Sequence, residues 1–194
     1  MRWIFFTLLF CIPTLHAERI DPSVSSFEQR EKKHVDLFDF SGEYENLEDI
    51  DIDARRKKRV EVLLTGTYPV LESINYEGSF GSLIGKLSGT YPKLSLVNFF
   101  CKSAMMQLDL TGKWEQDCDI NIRATAGDIV LTLPTDVGVI IHTKRLPTGK
   151  VIVNDLTKKG LGWTKKTFIN ELYEESPVTL TLNLEVSKGR IIIN

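Results

Sequence analysis

The sequence predicts an all-β fold, a single-stranded β-solenoid with coils of about 23 residues, from three features that share one interval. Gly66-Thr67-Tyr68-Pro69 recurs 23 residues later as Gly89-Thr90-Tyr91-Pro92. Leu64-Thr65-Gly66, Leu87-Ser88-Gly89 and Leu110-Thr111-Gly112 keep the same step, and Leu133-Pro134-Thr135 continues it in degraded form. Two residues after each repeated glycine comes an aromatic: Tyr68, Tyr91 and Trp114. A unit this short cannot close a core alone, whereas stacked copies bury a continuous one. An antiparallel sandwich of evenly spaced hairpins is the competing reading, and the shared interval favours stacking.

In chain order, Arg2 and the apolar run Trp3–Ile12 followed by Pro13 and Ala17 predict a cleavable signal peptide over residues 1–17. No later apolar segment is long enough to span a bilayer, so the sequence predicts export to the periplasm or cell surface with no transmembrane helix after signal removal. Residues 18–49 lack clear periodicity and are expected to be a charged N-terminal segment or a cap. The repeat domain is expected over 50–194. Its strands alternate apolar and polar residues, as in Met106-Gln107-Leu108-Asp109-Leu110 and Ile129-Val130-Leu131-Thr132-Leu133. Gly81, Ala104, Gly127, Gly149 and Gly189 mark corners. The 40 residues between the last two leave room for an insertion, placed at about 157–176. The terminal strand Arg190–Asn194 ends abruptly, and an uncovered apolar end there would allow homodimerisation through the solenoid end.

Gly81-Ser82-Leu83-Ile84-Gly85-Lys86-Leu87, Gln107-Leu108-Asp109-Leu110, Ala126-Gly127-Asp128-Ile129-Val130-Leu131-Thr132-Leu133-Pro134 and Asp136-Val137-Gly138-Val139 together resemble bacterial toast-rack proteins. That group includes the C-terminal domain of cell-wall-active-antibiotic response proteins and putative-adhesin domains. The likeness covers about residues 60–194. It implies a β-solenoid at the cell envelope, with no catalytic residues to carry over.

The chain holds 24 Lys+Arg against 26 Asp+Glu, a net charge of −2, which argues against a nucleic-acid partner. Neither His34 nor His142 sits in a catalytic or metal-binding spacing, and no cofactor motif is present. The expected function is therefore a non-enzymatic envelope scaffold or interaction module, in contact with an envelope protein or an anionic polymer or lipid surface. A glycan-binding or glycan-acting protein is the alternative. The candidate anionic-partner residues are Lys158, Lys159, Trp163, Lys165 and Lys166, four cations around an aromatic within nine residues. A second basic patch, Arg55, Arg56, Lys57, Lys58 and Arg59, follows eight acidic residues between Asp36 and Asp53, which can fold over it and neutralise it. Tyr68, Tyr91 and Trp114 form an aromatic ladder. Pointing outward it would be a sugar platform, but its parity with the repeated leucines favours the core. The repeat sets Cys101 beside Ala124 and Cys118 beside Ser95, too far apart for a disulfide, so two free, buried thiols are expected.

Overall fold

Side chains alternate between two faces along each strand, and a 23-residue repeat brings the same side chain back to the same place one strand over. The computed structural model describes residues 35–145, 150–159 and 165–194, with Arg145 as backbone alone. The expected signal peptide, residues 18–34, Gly149 and Trp163 lie outside the described residues.

β1 (Asp36–Asp39), β2 (Asp49–Ala54) and β3 (Arg59–Leu64) open the fold, followed by the long strands β4 (Ser73–Leu87) and β6 (Leu96–Asp109) with the short β5 (Thr90–Tyr91) between them. β7 (Lys113–Trp114), β8 (Cys118–Ala126) and β9 (Ile129–Thr132) complete the next repeat. β4 runs parallel to β6 with Ile74 opposite Val97 and Leu83 opposite Met106, and the 23-residue offset continues to Ile120 and Ile129. Across β2 the offset is 24, Ile50 lying opposite Ile74, because the corner at Arg55–Lys58 holds one residue more than its successor. The ladder already begins at β1, where Asp36 lies opposite Val60, inside the stretch 18–49 that the sequence reading set apart. Acidic outward positions there mask the repeat Ser41-Gly42-Glu43-Tyr44, which matches Thr65-Gly66-Thr67-Tyr68.

After β9 the order of strands departs from the order of the chain. β10 (Gly138–Arg145) and β11 (Lys150–Val153) leave a one-strand gap beyond β8 and β9. The hairpin strands β12 (Thr157–Lys159) and β13 (Lys165–Ile169) follow, and the C-terminal pair β14 (Thr179–Lys188) and β15 (Arg190–Ile193) fills the gap. Leu182 of β14 lies opposite both Ile120 and Ile141, in parallel with each. β15 is likewise paired on both sides, with β9 and β11. The terminal strand is thus internal and is not the uncovered end on which a second copy was expected to stack. Gly189 packs on Gly127, 62 residues earlier, instead of closing a last sequential coil.

The insertion at 157–176 also differs from a plain loop. β13 runs antiparallel to β10 and β12 antiparallel to β13, so the large sheet is mixed and open at its edges. A 3-10 turn at Glu171–Glu174 returns the chain to β14. Among the described residues there is no α-helix, and none is long and apolar enough to cross a membrane.

The core consists of stacked rows. Ile50, Ile74, Val97, Ile120, Leu182 and Ile141 form one, and Leu64, Leu87 and Leu110 another, with Leu133 partly buried at its end. Each such aliphatic contributes about 1.5–3 kcal/mol by leaving water. At the corners the backbones of successive repeats touch. A Cβ on Gly127 would lie 1.9 Å from the Ala104 oxygen, and one on Gly189 1.8 Å from the Gly127 oxygen, both at positive φ.

Gly127→Ala and Gly189→Ala should each cost about 2–3 kcal/mol, since strain and overlap both oppose a Cβ there. Urea unfolding measures this directly. Deleting residues 179–194 should abolish the cooperative transition, because it strips a pairing partner from β8, β9, β10 and β11 together.

Candidate functional site

The aromatic ladder faces inward. Tyr68 and Tyr91 are fully buried and Trp114 nearly so. Tyr44 stacks on Tyr68 at 5.6 Å, Tyr68 on Tyr91 at 5.4 Å, and Tyr91 tilts on Trp114 at 5.1 Å. Each polar tip has a partner: the Tyr68 hydroxyl donates to the Phe40 carbonyl, Tyr91 to the Leu64 carbonyl, and the Trp114 indole N–H to the Leu110 carbonyl at 3.0 Å. These rings close the interior and offer no platform to a sugar. The two cysteines are free and buried, which pushes the Cys101 thiol up to about 11 and Cys118 up to about 12. Burial raises the Tyr68 and Tyr91 phenols as well.

The basic run occupies the corner between β2 and β3, and acids meet part of it. Arg55 bonds Asp53 at 2.6 Å and approaches Glu77 at 3.9 Å, while Lys57 pairs with Asp36 at 2.7 Å. The Arg55 guanidinium holds the Asp53 carboxyl far below its usual range. Arg56, Lys58 and Arg59 have no ion pair among the described residues.

The lysines of the insertion divide. Lys158 and Lys159 lie on the edge strand β12, where Lys159 pairs with Glu174 and sits 5.6 Å over the Tyr173 ring. Lys165 and Lys166 lie on β13, and here the fold brings them to residues that the sequence reading did not connect with them. Register places Arg123 of β8, Glu185 of β14, Lys144 of β10 and Lys165 of β13 in one row. Glu185 is shared, 3.2 Å from Arg123 and 3.4 Å from Lys144. Lys165 faces Lys144 directly and has no ion pair among the described residues.

One step along the same strands, Asn121, Asn183, His142 and Thr167 form the next outward row. It prolongs an amide ladder in which Asn183 donates to Asn121 at 3.0 Å, Asn121 to Asn98 at 2.9 Å, Asn98 to Asn75 at 2.8 Å, and Asn75 to the Asp51 carboxylate at 2.9 Å. Identical amides stack well because each carries both a donor and an acceptor. Beyond Asn183 in this row, the His142 Nδ1 lies 3.1 Å from the Thr167 hydroxyl.

These two rows line a hollow of about 610 Å³ over β8, β14, β10 and β13. A second hollow of about 690 Å³ adjoins it over the preceding residues of the same strands, lined by Asp117, Asp119, Thr179, Thr181, Ile140 and Tyr173. The Asp117 carboxylate accepts the Thr179 N–H at 2.8 Å and so pins the start of β14. Together they make a trough whose floor is β14, acidic at the start of the strands and cationic at their end. No group of acids, cysteines and histidines suited to a metal ion occurs among the described residues.

Lys165 and Lys166 were readable as candidates from composition. Asn75, Asn98 and Asn121 were readable from the 23-residue step, but Asn183, Glu185 and Lys144 reach the trough only through the displaced C-terminal pair, at offsets no repeat predicts.

No family profile and no curated protein matches the chain. One solved structure is similar, a putative cell adhesion protein from Clostridium sporogenes, with a TM-score of 0.55 and 20% identity. The likeness covers 70% of this chain and 56% of that one, so the chain spans little more than half of its length. At this identity the likeness concerns the fold.

Trp114→Ala should destabilise the protein by about 3–5 kcal/mol, visible as a large drop in melting temperature. Alkali should also weaken it. Buried thiols and phenols whose folded pKa lies above the unfolded value bind more protons in the native state, so stability falls as pH rises past about 9 and faster past about 10. Melting curves between pH 7 and 11 check this, and replacing both cysteines by alanine should flatten the first part of the decline.

Proposed function

We propose that the chain is an exported, non-enzymatic scaffold of the cell envelope, built as a toast-rack-like β-solenoid, whose trough engages anionic envelope components. The observation that carries this reading is the pair Lys144 and Lys165. Like charges opposite each other on neighbouring strands are destabilising, and the one acid in the row is already shared between Arg123 and Lys144. An anion laid across the row relieves that repulsion and gains from both cations. The parallel 23-residue registers support the solenoid reading, the hydrophobic N-terminus supports export, and the fold likeness to a putative cell adhesion protein agrees with a role in contact rather than in chemistry. Glycan recognition loses its main support with the burial of the three rings.

The test is cosedimentation with anionic vesicles and with purified acidic wall polymer, comparing wild type with Lys165→Glu. That change replaces a repulsive pair by an attractive one, so the melting temperature should hold or rise while binding falls about ten-fold or more. Arg56→Glu with Lys58→Glu, at the far corner, should leave binding unchanged. A folded wild type that binds neither probe, at low salt as well as high, overturns the proposal.

A further inference from the structure

The trough has two ends, and only the cationic one is used by the reading above. Asp119 of β8 lies outward at the other end, with Thr181 on one side and Leu96 on the other, and has no ion pair among the described residues. Asp117 adds a second carboxylate beside it. Asp119 lies four residues before the Arg123 row, about 13 Å along the strand at ~3.3 Å per residue, and Lys144 stands two strands across that row, about 10 Å at ~4.8 Å per strand, so Asp119 and Lys144 are about 16 Å apart on a diagonal. Between them the floor is neutral and hydrogen-bonding, Thr181 and Asn183.

We infer that the trough takes an extended polypeptide segment bearing a basic side chain and an acidic side chain four residues apart. Two side chains at i and i+4 of an extended chain leave from the same face about 13 Å apart, and a segment crossing the strands on the diagonal leaves only about 3 Å for its Lys and Glu side chains to span between Asp119 and Lys144. Its basic residue meets Asp119 and Asp117, its acidic residue meets Lys144 and Lys165, and the polar groups between them meet Thr181 and Asn183. A uniformly anionic polymer engages the cationic end alone, whereas this occupant engages both ends. Charges two residues apart leave the chain only about 7 Å apart, so about 10 Å is left to span and both side chains must stretch fully along the trough to reach its two ends. The inference rests on the proposed anion-binding reading and narrows it to one partner class.

The experiment uses the full chain and end-blocked, fluorescently labelled peptides, with binding followed by anisotropy at low ionic strength. The peptides carry Lys and Glu at i and i+4, Lys and Glu at i and i+2, or two Glu and no Lys, on a neutral Ser/Thr background. The i,i+4 peptide should bind about three- to five-fold tighter than either other, the size that exposed charge pairs support. Asp119→Asn should remove that advantage and leave the two-Glu peptide bound as well or better, whereas Lys165→Gln should weaken all three. Equal binding of the i,i+4 and two-Glu peptides, with Asp119→Asn silent, overturns the inference and leaves the anion reading standing. Binding of anionic vesicles but of no peptide does the same. Loss of every probe by a folded wild type overturns both.

Discussion

The constraint from which the rest follows is in-register parallel stacking. Strands about 4.8 Å apart with a constant offset set each side chain directly against its counterpart one repeat away, so every position in the repeat must tolerate its own kind as a neighbour. Aliphatics do, and the interior row from Ile50 through Ile74, Val97, Ile120 and Leu182 to Ile141 is Ile, Val and Leu throughout. Aromatics do by stacking, as Tyr44, Tyr68 and Tyr91 show. Asparagine does because an amide both gives and accepts a hydrogen bond, which makes the row from Asn75 to Asn183 self-satisfying. Charge does not, and the fold handles it case by case. Asp53 and Glu77 are neighbours in one row, and Arg55 at the adjacent corner reaches toward both. Phe100 then interrupts the row before it continues as Arg123, Glu185, Lys144 and Lys165, three cations around one acid.

Seen this way, the juxtaposed Lys144 and Lys165 stand out as the place in that row where like charge is stacked and no acid of their own resolves it. Nearer the start of the same strands Asp119 has only uncharged cross-strand neighbours, Thr181 and Leu96. Both departures fall on the strands around β14.

Much of the architecture was legible in the sequence because stacking writes itself as repetition: the strands from Ser73 to Thr132, the leucine ladder, the inward aromatics and the glycine corners all follow from one interval. The start of the ladder was less legible, since Asp36, Asp39, Glu43, Asp49, Asp51 and Asp53 make an edge look like a charged tail. Acidic side chains on an edge strand are a usual means of discouraging further pairing, so the composition that hid the strands also explains where they sit. The end was not legible at all. Parallel pairing of β14 with β8 and β10 leaves no signature in the 23-residue step, because its partners lie 62 residues and 41 residues before it and neither is a multiple of that step. Sequential stacking is the default that periodicity implies, and nothing local in Thr179–Ile193 distinguishes a strand that extends the stack from one that fills a gap within it.

That gap-filling step ties the candidate site to completion of the fold. β14 supplies the floor of the trough, with Thr179, Thr181, Asn183 and Glu185 outward, while Leu180, Leu182, Leu184 and Val186 on its other face are buried in the core. The residues that hold the two halves of the stack together therefore alternate, one by one, with those that face a partner. Before the C-terminal pair is in place, Arg123 and Lys144 have no shared acid between them, and β8 and β10 present unpaired edges to solvent. Their repulsion opposes direct pairing of those two edges, and Glu185 removes it only when β14 arrives. The charge row thus favours the correct strand over its omission, and the same row, once assembled, leaves Lys165 as the cation still in need of an anion.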